Sequence, residues 1–214
     1  MNKSKNKRFL LYRFLRLILR TFFKVYYNPT ILNKENLRVE GPVIIAGNHR
    51  HVFDQCWTVT STRRIVRYMA KKEYFDGEAS FFGSGNRFTR WISKKIVQGA
   101  ACIPVDRNTK DENAKQAAVD VLNDGGCLGI FPEGTRNKTD AFLLPFKFGV
   151  VSLAKKTNAT IIPFGITGEH KFRSKDLCVR FGEPFNVDNM TLEEANDKLF
   201  DTVKNLMEEN LRKD

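Results

Sequence analysis

The chain has 214 residues, 42% of them hydrophobic and 28% charged, and a formal net charge of +12. That length suits one domain, or two small ones at the limit, and the balance excludes a disordered chain and a collagen-like repeat. The basic excess asks for an anionic partner, and where it sits decides which kind.

Residues 1–24 hold eight Lys/Arg and no acid, whereas residues 183–214 hold nine acids against four bases. A nucleic-acid binder would favour a basic face along its whole body, so nucleic acid is not the expected partner. Cys56, Cys102, Cys127 and Cys178 show no CxxC spacing. They read as reduced, mostly buried thiols of a cytoplasmic compartment.

The first predicted element is a helix over residues 9–27, FLLYRFLRLILRTFFKVYY. Four cations interrupt it, so no uncharged run reaches the roughly 20 residues of a spanning helix. An uninterrupted signal-peptide core is also missing. At about 100° per residue, Arg13, Arg16, Arg20 and Lys24 share one narrow stripe. Leu11, Phe14, Leu15, Ile18, Phe22 and Val25 fall opposite. Such a helix can lie in the headgroup plane of an anionic membrane, and it can equally be packed on the protein's own core with a solvated basic face. Asn28-Pro29 ends it. The expected division is a basic amphipathic membrane-association helix over 1–28 and a catalytic domain over 29–214.

Beyond it, short apolar runs alternate with helical patterns. Strands are predicted at 43–46, 65–70, 101–105, 127–131, 160–166 and 177–181. Helices are predicted at 53–61, 86–97, 111–123, 146–157 and 191–212. Gly125-Gly126 stops the third of these helices, and Thr191 with Glu194 forms a capping box at the start of the last. Pro104 and Pro163 put a bulge or an edge into their strands. The fold class expected is α/β: a mixed, mostly parallel sheet covered by helices, with an N-terminal amphipathic membrane-lying helix. The stretch 62–95 holds nine Lys/Arg against three acids. Part of it is expected to face anionic lipid or an acidic acyl carrier protein, a solvated helix face being the other reading.

Three strand ends carry residues capable of chemistry. Asn48-His49-Arg50-His51-Val52-Phe53-Asp54 follows the strand VIIAG, where α/β sheets place active sites. His49 and Asp54 would diverge on a continuous helix and meet only if the chain turns between them. Their chemistry would be general base catalysis: a neutral His49 takes a proton from an attacking hydroxyl, and Asp54 holds the other ring nitrogen. A bare H-x4-D also fits a polar strand-end turn. Phe131-Pro132-Glu133-Gly134-Thr135-Arg136 follows the strand CLGI, with Arg136 suited to phosphate or carboxylate, and an ordinary turn is its other reading. Pro104-Val105-Asp106-Arg107 offers a second anion ligand in Arg107, or else a surface ion pair.

Taken together in this order, these blocks resemble the glycerolipid acyltransferase family, whose best-known members are the 1-acyl-sn-glycerol-3-phosphate acyltransferases. The resemblance runs from about residue 40 to 170. It rests on Asn48–Asp54, Pro104–Arg107, the intact FPEGTR at 131–136, Pro145–Gly149 and Ile162–Ile166. It implies transfer of an acyl chain from acyl-CoA or acyl carrier protein to the sn-2 hydroxyl of 1-acyl-sn-glycerol-3-phosphate, giving phosphatidic acid. Under it, His49 is the base and Asp54 its partner. Arg107 and Arg136 bind the acceptor phosphate, while Glu133, Gly134 and Thr135 shape the acceptor loop. No cofactor or metal is expected, because the donor thioester is a substrate and already activated. The expected location is the cytoplasmic side of the cell membrane, peripheral or monotopic. The resemblance departs at His51, where the family has a small Ser or Thr. An imidazole there would alter acceptor choice, or else compete with His49 for Asp54. The alternatives are another lyso-lipid acceptor, or a non-catalytic membrane- or nucleic-acid-binding protein.

Overall fold

The structure, a computed structural model, describes residues 3–81, 85–106, 109 and 111–212, with the backbone path alone for 3–9 and 11. In chain order the helices and strands are α1 (Lys3–Tyr26), β1 (Thr30–Leu32), β2 (Val43–Gly47), α2 (Asp54–Ser61), β3 (Val66–Lys71), α3 (Lys72–Asp76), α4 (Arg87–Gly99), β4 (Ile103–Val105), α5 (Glu112–Asn123), β5 (Cys127–Ile130), α6 (Gly149–Thr157), β6 (Thr160–Thr167), β7 (Cys178–Phe181) and α7 (Leu192–Leu211).

The strands form one seven-stranded sheet in the order β1-β7-β6-β2-β5-β3-β4. β6, β2, β5, β3 and β4 run parallel, β7 is antiparallel to β6, and β1 is parallel to β7. This is the mixed, mostly parallel α/β sheet that the alternation of runs predicts. β2 explains why its strands are apolar throughout: Ile44 and Ala46 enter one core, Val43 and Ile45 the other. The first core is closed by α5, α6 and α7, the second by α1 and α2, so both faces of the sheet are dry.

Pro104 lies in β4, an edge strand. Pro163 lies in the interior strand β6, where the pairing with the following chain slips by one residue between Phe164↔Phe181 and Ile161↔Phe185. The missing proline N–H therefore falls at a break in that ladder. The capping box of α7 is present, and Gly125 takes a φ of 70° just past α5.

Among the boundaries that differ from the sequence pattern, two do so because a backbone group is used elsewhere. β4 starts at Ile103 rather than 101, since Cys102 N–H closes the end of α4 on the Val97 carbonyl. α6 starts at Gly149 rather than 146, since Lys147 N–H is held by the Pro132 carbonyl.

α1 packs one face on the second core and leaves a different, apolar face exposed. Tyr12, Phe23 and Tyr27, just beyond its end, are buried, and the Phe23 ring meets Trp57 edge-on at 4.9 Å. Tyr12 Oη accepts the Val66 N–H at 3.0 Å, and Arg16 donates to the Thr62 carbonyl at 3.0 Å, which ties the helix to β3 and its approach. The opposite strip, Leu10, Phe14, Leu17, Ile18, Phe22 and Val25, stands exposed. No helix among the described residues is long and apolar enough to cross a membrane.

Candidate active site

The site is built where β2 ends. Gly47 is the last strand residue, and a Cβ there would stand 2.2 Å from the Phe164 carbonyl oxygen, so β2 and β6 approach too closely for any side chain. Asn48 then continues the pairing with its amide. Nδ2 donates to the Ile166 carbonyl at 2.9 Å, and Oδ1 accepts the Ile166 N–H at 2.8 Å.

From His49 to Phe53 the chain doubles back, as a strand-to-helix turn permits, and Asp54 becomes the first residue of α2. Its Oδ2 accepts the Arg50 N–H and the His51 N–H, both at 2.7 Å, and lies 3.0 Å from His49 Nδ1. The sequence-predicted pair is thus brought face to face. Asp54 is 1% exposed, which would push its carboxyl up. His170, once its Nε2 carries a proton, His49 and the His51 N–H together outweigh that and hold it at about 2, ionised at neutral pH. A carboxylate on Nδ1 fixes the proton there and leaves Nε2 with its lone pair, which has no protein partner among the described residues.

The 131–136 turn holds His49 from the other side. Glu133 Oε1 accepts the His49 N–H at 2.6 Å, and Asn137 N–H donates to the His49 carbonyl at 2.7 Å. The imidazole stacks on the Phe131 ring at 3.9 Å and 9°. Both backbone groups and one ring face of His49 are therefore clamped by one turn.

Glu133 is buried, and its other oxygen accepts the Leu144 N–H at 3.1 Å. Its carboxylate shapes the loop from within and is spent on backbone. Burial leaves Glu133 above its ordinary range, even with those two N–H groups acting in the opposite sense. Gly134 takes a φ of 72°, which side-chain-bearing residues rarely adopt, and a Cβ there would also push the flexible end of Lys147 aside. Thr135 and Arg136 are exposed, and no ion pair involving Arg136 exists among the described residues. Arg107 lies outside the described residues.

His51 does not displace His49. Its ring turns away to stack on His170 at 4.1 Å, and its Nδ1 accepts the Phe53 N–H at 3.3 Å. Burial first, then the neighbouring His170, Arg136 and His49, push its titration down against the pull of Asp54. His170 itself is the member of this cluster that the sequence left unmarked. It sits between β6 and β7 with its Nε2 3.0 Å from Trp57 Nε1 and 3.3 Å from Asp54 Oδ1. The only signal for it was its identity as one of three histidines in the chain.

Known proteins resemble this chain over most of its length. The family described as Acyltransferase matches residues 28–167. A 1-acyl-sn-glycerol-3-phosphate acyltransferase of Bacillus subtilis is 26% identical over 82% of this chain and 83% of its own. A coconut (Cocos nucifera) enzyme of the same name is 36% identical over 40% of this chain, which spans only 30% of its length. The crystal structure of a 1-acyl-sn-glycerophosphate acyltransferase from Thermotoga maritima superposes with a TM-score of 0.72 at 20% identity, covering 100% of this chain and 85% of that one. That likeness is one of fold.

Proposed function

This chain belongs to the acyltransferase family, and we propose that it moves a fatty acyl chain from acyl-CoA or acyl carrier protein to the sn-2 hydroxyl of 1-acyl-sn-glycerol-3-phosphate, giving phosphatidic acid for phospholipid synthesis. The observation that carries the reading is the buried Asp54 carboxylate on His49 Nδ1, which leaves Nε2 as a base on a loop clamped by Glu133 and Asn137.

The steps follow from that arrangement. His49 Nε2 takes the proton of the acceptor hydroxyl as its oxygen attacks the thioester carbon. Asp54 stabilises the imidazolium that forms. As the tetrahedral intermediate collapses, the carbon–sulfur bond breaks and Nε2 returns the proton to the departing thiolate. One positioned base contributes about 10²–10⁴-fold in rate. The exposed Arg136 beside this turn supplies charge for the acceptor phosphate, and Arg107 at the end of β4 is its expected companion.

The reading also requires a lipid surface. β1 begins at Thr30 opposite Cys178, and Cys178 lies opposite Thr167 at the end of β6. The end of α1 is therefore at the same end of the sheet as His49. There Leu17, Ile18, Phe22, Val25, Tyr26 and Phe172 line an open apolar groove of about 570 Å³. We assign this strip, with Arg13, Arg20 and Lys24 exposed nearby, to the anionic headgroup layer, the cytoplasmic leaflet being the expected side.

His51 favours a second reading of the acceptor alone. Its imidazole, stacked on His170, also lies near enough to Arg136 to feel that charge, so another lyso-lipid headgroup is the competing substrate. The test incubates purified protein with labelled acyl-CoA and acyl carrier protein and a panel of lyso-lipids, with His49→Ala alongside. Phosphatidic acid formation should fall about 10²–10⁴-fold in the variant with unfolding unchanged. Turnover that survives His49→Ala overturns the mechanism, and preference for another acceptor overturns the substrate.

A further inference from the structure

His170 stands where one nitrogen has two claimants. Its Nε2 is 3.0 Å from the Trp57 indole nitrogen and 3.3 Å from Asp54 Oδ1, and its side chain is 7% exposed. To accept the indole N–H, Nε2 needs its lone pair. To serve the carboxylate it needs a proton. In the arrangement seen, the indole has it, and Asp54 Oδ1 is buried without a hydrogen bond. A buried carboxylate oxygen left in that state is costly, so it draws a proton towards Nε2.

We propose that His170 is a positioning residue of the His49–Asp54 pair, and that a proton on its Nε2 releases Trp57 and supplies the missing partner of Asp54 Oδ1. The inference rests on the reading of His49 as the base. With Oδ2 held by two N–H groups and His49, an N–H on Oδ1 fixes the plane of the carboxylate. It also draws off part of the negative charge that would otherwise stabilise an imidazolium at His49. His170 therefore governs how firmly His49 is oriented and how readily it is protonated.

The groups that bear on this switch come from each element around it. Asp54 and Trp57 come from α2, and His51 from the preceding turn stacks on the ring. Tyr27, after α1, meets it edge-on at 5.9 Å. Glu169 and Lys171, its chain neighbours, pair with each other. Asp54 is the one acid within hydrogen-bonding reach among the described residues.

Two measurements test it, one of them independent of turnover. In proton–nitrogen spectra of the intact protein, the Trp57 indole N–H signal should move with pH in step with the His170 ring, and Asp54→Asn should shift the midpoint of both to lower pH. An indole signal that stays fixed while His170 titrates overturns the proposal, whatever the reaction proves to be.

In the acyl-transfer assay, His170→Phe keeps a ring but removes the donor. Turnover should fall roughly 10–100-fold with KM for the acceptor little changed, and the acid limb of the pH–rate profile should move to higher pH. His170→Gln, whose amide can donate to Oδ1, should recover most of the turnover. Equal losses in both variants with an unmoved acid limb would leave His170 a packing residue only and overturn the role.

Discussion

Asn48 and Ile166 hold each other by a two-way pair, amide to carbonyl at 2.9 Å and amide oxygen to N–H at 2.8 Å, and both are buried. The side chain does the work of one more strand residue, and it does so immediately before His49. Asn48→Asp sets a carboxylate against the Ile166 carbonyl, and Asn48→Leu leaves both Ile166 groups unpaired. Either should cost about 2–4 kcal/mol of stability, read as a lower urea midpoint. Turnover should fall more than the folded fraction does, because the strand end that aims His49 is loosened.

Glu133 makes a second prediction, since both its oxygens carry a backbone N–H. Glu133→Gln can accept one of these and turns an NH₂ group towards the other. The expected loss is about 1–3 kcal/mol in stability and a fall in kcat that KM does not share. A Glu133 that instead touched the acceptor would raise KM in the same variant, so the split between the two constants decides its role.

How much of this was legible beforehand follows from the range of each interaction. The strand ends at VIIAG and CLGI could be read because apolar runs and the turn residues after them are local signals. His49 and Asp54 could be paired because they are five residues apart on one turn. His170 could not: its partners are Asp54 and Trp57, the latter 113 residues away, and nothing around Glu169-His170-Lys171 sets it apart from an exposed turn. β1 was missed because three residues, Thr30–Leu32, are too few to display a period and exist as a strand only through β7. Arg64 was grouped with the basic stretch 62–95 because charge is visible in a sequence and its neutral partners are not.

Those partners are four backbone carbonyls. Arg64 donates to Val39 at 2.7 Å, Gly41 at 2.6 Å, Gly125 at 2.8 Å and Gly126 at 3.1 Å, which joins the approach to β2 to the approach to β5. Arg64→Lys keeps the charge but loses the fork and should destabilise by about 1–3 kcal/mol. Binding to anionic vesicles should be unchanged in the folded variant, because this guanidinium is already occupied.

Acid should expose the Asp54 network, and the sign can be worked out. The carboxyl is held at about 2 in the fold against an ordinary 3.8, so the unfolded chain takes up the proton first as pH falls. Its stabilising contribution is full above about pH 4 and is lost between there and about pH 2. Glu133 acts oppositely. Its native-state value lies above the ordinary 4.5, so its contribution is fullest below that and declines as pH rises through the raised value. Asp54→Asn should therefore flatten the fall in melting temperature between pH 4 and 2, while Glu133→Gln should leave that limb in place.

The last prediction separates two ways of holding a membrane. α4 packs on α3, which follows β3 at the active-site end of the sheet, and on it Phe88 and Trp91 are 67% and 55% exposed. Arg87, Arg90 and Lys94 line a cleft beside Trp91, and Lys95 lies 5.9 Å from the indole ring. This face is basic with aromatic tips, whereas the exposed strip of α1 is apolar. Each basic residue near an anionic surface is worth about 1 kcal/mol, and salt screens that attraction. Removing the four α4 charges together should weaken binding to anionic vesicles about 10²-fold or more at low salt and change binding to neutral vesicles little. Ile18→Asn with Phe22→Asn should weaken both, with little dependence on salt, because apolar insertion does not read lipid charge. If the α4 variant keeps its vesicle binding but loses activity with acyl carrier protein as donor, that face meets the carrier instead. If both are unchanged, it is a solvated helix face.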